Sequence, residues 1–324
     1  LFSGLIVHRK FQAMISWRPW IAACRPKTLV AAIVPVALGG AVFAIYGSRS
    51  NLFNQPAFWG TLGRCAGFAL GVQVACNFAN DLGDSLRGAD TPERIGPRRS
   101  VAHGEISPSA MGWGIKIACL LALICGWQVG LTSVALAVAG LLAIMLALAY
   151  TLGPYPLAYH GLGDVFVVAC FGLQATALTV FALYQKLITV TEVTMPWWPA
   201  LLAGLGLGLL ADNILLANNA RDYETDLKAG KRTLVVRWGR GFARQLHAFN
   251  VVVGLSSLAW VFGGWPLLLA PLAWWQHRQF RQAQEAKAFI PALAQAAILL
   301  LLAGVMCVTA SCLHGVVPGK LFGR

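Results

Sequence analysis

Residues 197–226 read WWPALLAGLGLGLLADNILLANNARDYETD. From Trp197 to Asn219 the stretch is almost wholly apolar, and it matches the ~20 residues a helix needs to cross the hydrocarbon core of a bilayer. It runs straight into Asn218-Asn219-Ala-Arg221-Asp222-Tyr223-Glu224-Thr-Asp226. An apolar helix of membrane length that ends in a tight group of acids and amides decides the fold class. The chain reads as an all-α, polytopic membrane helix bundle whose polar chemistry sits at helix ends.

Working outward, the pattern recurs. Apolar runs predict spans at about 28–47, 57–79, 109–128, 130–150, 164–185, 197–219, 244–263, 265–276 and 289–313, the eighth being short. With 58% hydrophobic and 11% charged residues and a mean hydropathy of +0.67, an ordinary soluble domain is excluded. Such a domain would expose too much apolar surface to stay dispersed. The net charge of +13 does not point to nucleic acid, because Lys and Arg fall between the apolar runs, where basic residues act as topology signals. With nine spans, only Arg49, Lys186, Lys320 and Arg324 lie on one side, and Arg64 and Lys116 lie inside spans. All other Lys and Arg share the opposite side, which the positive-inside rule assigns to the cytoplasm. Dropping the short eighth span would move Arg278, Arg281 and Lys287 to the sparse side, so nine spans are expected.

The chain then divides into a cytoplasmic N-terminal arm (1–27), a single transmembrane domain (28–313) and a short C-terminal tail (314–324), held by membrane lipid in the cell's inner membrane. The first twenty residues lack a sustained apolar core followed by a small-residue cleavage site, so no signal peptide is expected. Met14 is a candidate start, with residues 1–13 an upstream extension. None of the eight cysteines forms a CxxC pair, which argues against a zinc site or a disulfide framework.

The acids gather at two places. The first reads Asn77-Phe-Ala-Asn80-Asp81-Leu-Gly-Asp84-Ser-Leu-Arg87-Gly-Ala-Asp90, at the end of the second span; the other is the cluster ending at Asp226. Helical spacing puts Asn77, Asp81 and Asp84 on one face, and Asn218, Asp222 and Asp226 on another. Like charges so spaced repel unless a cation neutralises them, and at a helix C-terminus the macrodipole adds to the cost. Carboxylates and amide carbonyls are hard oxygen donors that suit Mg²⁺, which also takes phosphate oxygens and water. Bound to a diphosphate leaving group, Mg²⁺ stabilises the charge that develops as the C–O bond breaks. Arg87, Arg94, Arg98, Arg99 and Lys231 follow the two clusters and are candidate phosphate clamps. The ordinary alternatives are solvated loop carboxylates and topology charges.

Asn77-x-x-x-Asp81-x-x-Asp84 and Asn218-x-x-x-Asp222-x-x-x-Asp226 resemble the two Asp-rich motifs of the UbiA-type intramembrane prenyltransferases. Arg25-Pro-Lys-Thr-Leu29, Arg94-Ile-Gly-Pro97, Tyr150-Thr-Leu-Gly-Pro-Tyr-Pro156, Gly161-Leu-Gly-Asp164 and Gly230-Lys231 carry a closer resemblance to the branch that prenylates 1,4-dihydroxy-2-naphthoate in menaquinone biosynthesis. The resemblance implies a nine-helix bundle around a central cavity with cytoplasmic caps, two Mg²⁺ ions, and a polyprenyl diphosphate and dihydroxynaphthoate as partners. Metal ligands would come from Asp81, Asp84 or Asp90, Asp222 and Asp226, and substrate contacts from Asn77, Asn218, Asn219, Arg94, Arg98 and Lys231. The first motif is DxxD here, where the family's common form is DxxxD, so the partner of Asp81 stays open between Asp84 and Asp90. Tyr150 and Tyr155 are candidates for holding an allylic cation against an aromatic face, and Asp164 for taking a hydroxyl proton or for capping a helix. Asp212 has no role in this scheme. The competing readings are prenylation of 4-hydroxybenzoate and, from a different class, a divalent-cation transporter.

Overall fold

The structure is a computed structural model that describes residues 17–48, 52–89, 95, 96 and 99–316. The N-terminal arm up to residue 16 and the tail beyond 316 lie outside these. Eleven helices follow one another: α1 Arg18–Cys24, α2 Pro26–Tyr46, α3 Pro56–Leu86, α4 Pro108–Gly130, α5 Val134–Ala149, α6 Gly163–Leu187, α7 Trp197–Arg221, α8 Tyr223–Lys228, α9 Leu234–Phe262, α10 Ala270–Gln282 and α11 Ile290–Val316. Among the described residues there is no strand, only a lone bridge between Ser48 and Val193.

Six helices (α2, α4, α6, α7, α9 and the one containing α11) are long and apolar enough to cross a membrane. The segments expected as the other three spans are helical but do not meet that standard. α3 runs 31 residues, well beyond the expected 57–79, but carries Arg64, Gln73, Asn77, Asp81 and Asp84. α5 and α10 have 16 and 13 residues, short of the ~20 that span a bilayer untilted.

α7, the stretch that decided the fold, is the most buried of the six. Its glycines explain why. A Cβ on Gly208 would lie 2.9 Å from the Val168 carbonyl oxygen, and one on Gly172 of α6 would run into the Gly204 carbonyl. On another face, a Cβ on Gly206 would meet the Gly254 carbonyl of α9 at 2.8 Å. Small residues let helix backbones touch where no hydrophobic drive separates protein from lipid. The facing stretch of α6, Val167–Gln174, is π-helical, a widened turn that recurs at functional sites.

The outward surface is apolar, as a lipid-facing surface must be. Exposed Trp59, Trp127, Trp197, Trp198 and Trp260 sit at the start of α3 and α7 and the end of α4 and α9. All five belong to the bundle end away from the acids, where indole rings anchor at a membrane interface.

Gly208→Ala should lower stability in detergent by about 1–3 kcal/mol, the usual range for overpacking. Gly112→Ala, where a Cβ meets nothing within 4 Å, should be neutral or stabilising. Thermal unfolding of both variants checks the pair; equal losses would contradict the backbone-contact account.

Candidate active site

The two acidic helix ends meet. α3 stays helical through Leu86, carrying Asp81 and Asp84 past the expected end of the span. The Asp81 carboxylate accepts the backbone N–H groups of Ser100 and Val101, both at 3.1 Å, from the turn before α4. Asp84 accepts the Tyr159 hydroxyl at 3.0 Å and an Arg99 N–H at 3.3 Å. Burial first, and then the Asp84 carboxylate, pushes the Tyr159 phenol well above its usual value, so it remains a donor.

Across the cavity, α7 ends at Arg221, and Asp222 leaves helical geometry at the joint with α8. Asn218, Asp222 and Asp226 therefore do not share one unbroken helix, as the spacing predicted. Arg221 grips Asp222 with two N–H donors at 2.7 and 2.6 Å. Asp226 comes from α8 one turn later. Lys231 Nζ lies 3.8 Å from Asp84 and 3.9 Å from Asp226, and so bridges the two motifs.

These groups line one cavity of about 380 Å³. Its walls hold five acids (Asp81, Asp84, Asp164, Asp222, Asp226) and five cationic side chains (Arg25, Lys27, Arg99, Arg221, Lys231), so its own charges balance. A diphosphate entering it brings uncompensated negative charge, which a divalent cation would offset. Among the described residues no three His, Cys, Asp or Glu side chains converge closely enough to hold an ion alone. The carboxylates instead face Arg and Lys groups and backbone amides. The donor set nonetheless fits Mg²⁺: hard oxygens on opposite walls, with phosphate oxygens to complete the coordination.

Asn77 does not line this cavity. Its amide donates to the Cys24 carbonyl at 2.9 Å and to the Thr28 hydroxyl at 3.2 Å, tying α3 to the elbow between α1 and α2. At that elbow Arg25 adopts a left-handed conformation (φ 50°), a backbone state that costs a non-glycine residue about 1–3 kcal/mol and collects at functional sites. Arg25 and Lys27 thereby reach the cavity.

Asn218, Asn219, Tyr150, Asp164 and Lys231 also line the cavity. Asp164 sits within the first turn of α6, not at its N-cap, and neither carboxylate oxygen has a hydrogen-bond partner. The helix-capping role is thereby removed. Tyr155 is placed outside, exposed and stacked on His160 at 3.6 Å. Asp90, Arg94 and Arg98 lie outside the described residues. Arg87 does not line the cavity; it lies over the Tyr159 ring and pins the loop after α5 through the Thr151 and Gly153 carbonyls, at 2.6 and 2.7 Å. Sequence reasoning missed the parts played by Tyr159, Arg221 and Lys27. Arg221 was signalled only by standing beside Asp222, and Tyr159 by nothing in the local pattern.

A second, apolar cavity of about 400 Å³ lies among α2, α3, α4, α5 and α6, lined by Val36, Phe68, Trp127, Leu136, Phe166 and Leu178 among others. Phe166 on its wall packs against Tyr150 of the polar cavity, with ring centroids 5.1 Å apart. A polar chamber lined with paired charges thus adjoins an apolar one across a single pair of rings.

The profile of the UbiA prenyltransferase family matches residues 32–298. The chain belongs to that family. Curated UbiA-family relatives include a 1,4-dihydroxy-2-naphthoate octaprenyltransferase of Haemophilus influenzae, 34% identical over 249 residues and covering 75% of each chain. The Escherichia coli protein of the same name is 33% identical over 296 residues, covering 85% of this chain and 88% of its own. Among solved structures, the apo UbiA homolog from Aeropyrum pernix superposes with a TM-score of 0.60 at 14% identity, covering 90% of this chain and 98% of that one. The UbiA homolog from Archaeoglobus fulgidus bound to DMAPP and Mg²⁺ gives 0.56 at 16%, covering 90% and 99%. At such identities the structural likeness speaks for the fold alone.

Removing the Lys231 charge leaves Asp84 and Asp226 facing one another without their bridge. Lys231→Met should lose about 1–3 kcal/mol of stability, with Mg²⁺ restoring more of it than in the wild type. Thermal unfolding with and without Mg²⁺ checks this; an equal Mg²⁺ response in both proteins would count against a shared metal site.

Proposed function

We propose that the chain transfers a polyprenyl group from its diphosphate to 1,4-dihydroxy-2-naphthoate, releasing diphosphate and CO₂ and giving demethylmenaquinol. The observation that carries this reading is the joining of both acidic motifs in one charge-balanced cavity beside an apolar one. The relatives' names supply the acceptor.

Asp81 and Asp84 on one wall, with Asp222 and Asp226 on the other, would hold Mg²⁺, in keeping with the Mg²⁺ named for the Archaeoglobus homolog. When bound, the metal supplies Lewis-acid stabilisation of the departing diphosphate. Lys231, Arg99, Arg221 and Arg25 turn from the carboxylates toward phosphate oxygens and orient the donor. The prenyl tail passes Tyr150 and Phe166 into the apolar cavity, where water is excluded. As the C–O bond breaks, its electron pair leaves with the diphosphate, and the Tyr150 ring faces the allylic cation. The ring carbon bearing the carboxylate attacks, forming the new C–C bond, while Asp164 takes the adjacent hydroxyl proton. Loss of CO₂ returns electrons to the ring, and the oxygen recovers its proton from Asp164. Asn77 acts as a positioning residue that holds the Arg25 elbow.

By the same reading the helices make nine membrane crossings, with the acidic end in the cytoplasm of a bacterial inner membrane. The uneven placement of Lys and Arg supports that orientation.

Purified protein, a prenyl diphosphate and Mg²⁺, offered dihydroxynaphthoate or 4-hydroxybenzoate, should yield prenylated product and CO₂ with the naphthoate alone. Product with the benzoate alone would overturn the acceptor, and product with neither would sink the transfer reading. Asp81→Asn and Asp222→Asn should each lower turnover by at least ~100-fold, the scale set by removing one preorganised electrostatic contact. Wild-type rates in both would refute the metal site.

A further inference from the structure

The close crossing of α6 and α7 has a polar end. Val168 faces Gly208, and Gly172 faces Gly204 and Gly208, backbone against backbone. One turn beyond this contact stand Asp164 on α6 and Asp212 on α7, and the two carboxylates lie within electrostatic reach of each other. Both are buried, at 5% and 2% exposure. Asp164 lines the polar cavity with neither oxygen hydrogen-bonded. Asp212 lies behind it: one oxygen accepts the Asn250 amide N–H at 2.9 Å, and the other has no partner.

Among the described residues, no Lys, Arg or His side chain is bonded to either carboxylate. Tyr150 at the end of α5 lies near both carboxylates, and Asn250 on α9 donates to Asp212 and to the Asn213 side-chain carbonyl beside it. Of the cavity's five basic groups, three are engaged with other acids: Arg99 with Asp84, Arg221 with Asp222, and Lys231 with Asp84 and Asp226. Two adjacent buried carboxylates cannot both carry charge without a counter-ion. Such pairs hold one proton between them and divide into an acid and a base.

We propose that Asp164 and Asp212 form a single acid pair holding one proton, with Asp212 keeping it as a positioning residue and Asp164 left as the carboxylate that faces the acceptor hydroxyl. The acceptor part of this assignment rests on the prenyl-transfer reading; the pairing does not. In the forward step the hydroxyl O–H breaks and its proton passes to Asp164, and after CO₂ leaves the same proton returns to oxygen, so the pair ends as it began. Asp212 supplies the proton that keeps Asp164 from facing a second anion, and Asn250 fixes its orientation.

Infrared difference spectroscopy of the full chain in detergent reads the pair without any turnover. At neutral pH, wild type minus Asp212→Asn should contain the carbonyl stretch of one protonated carboxyl. A difference spectrum without it would overturn the pairing. Asp164→Asn should retain that band and bind a prenyl diphosphate within about twofold of the wild type, while its kcat for transfer falls by at least ~100-fold. Loss of the band in Asp164→Asn would place the proton on the wrong residue, and an undiminished kcat would remove Asp164 as the base. Asp164→Asn also decides the proton's location if Asp212→Asn does not fold. A wild-type protein that forms no product contradicts the transfer reading and leaves the infrared result to judge the pair.

Discussion

Everything at the polar end of this bundle depends on neutralising carboxylates that two different helices deliver to one cavity. Asp84 and Asp226 are separated in sequence by the four helices α4 to α7, and one ammonium group, Lys231, lies between them. Arg221 performs the same service for Asp222, as do the Ser100 and Val101 amides for Asp81. Without these partners the helix ends would repel each other. With them, the carboxylates are already brought together and paired, and on the proposed reading a metal–diphosphate complex would take the place of these cationic partners.

The apolar scaffold sets how closely those ends approach. α7 packs through Gly204 and Gly208 against α6, and through Gly206 against α9. The same helix that carries Asp212 and leads into Asp222 thereby fixes the positions of Asp164 and Asn250 around Asp212. The ring pair Tyr150–Phe166 divides a chamber for charge from a chamber for hydrocarbon. A substrate with an anionic head and an apolar tail matches both halves.

Much of this was legible in the sequence because membrane crossing and acid clustering are local patterns. The run from Trp197 to Asp226 announced both, and Asp81, Asp84, Asp164, Asn218, Asn219 and Lys231 were singled out from spacing and resemblance. Other features depend on where distant segments meet. Nothing near Asn77 distinguishes an amide aimed at a metal from one that binds the Cys24 carbonyl. The break at Asp222 could not be read from a continuous helical pattern, nor could the outward turn of Tyr155 between Pro154 and Pro156. Asp212 looked unassigned because its partners, Asp164 and Asn250, lie on two other helices. The short α5 and α10 and the polar α3 are helical where spans were expected, but fall short of a lone membrane crossing in length or in hydropathy.

The central claim is that both acidic motifs hold one diphosphate between them. An experimental structure with Mg²⁺ and a non-hydrolysable prenyl thiodiphosphate tests it most directly. The account predicts metal-bound phosphate oxygens between Asp81 and Asp84 on one side and Asp222 and Asp226 on the other, Lys231 turned onto the phosphate, and the tail beyond Phe166. A diphosphate bound elsewhere, with Lys231 still bridging Asp84 and Asp226, would contradict it.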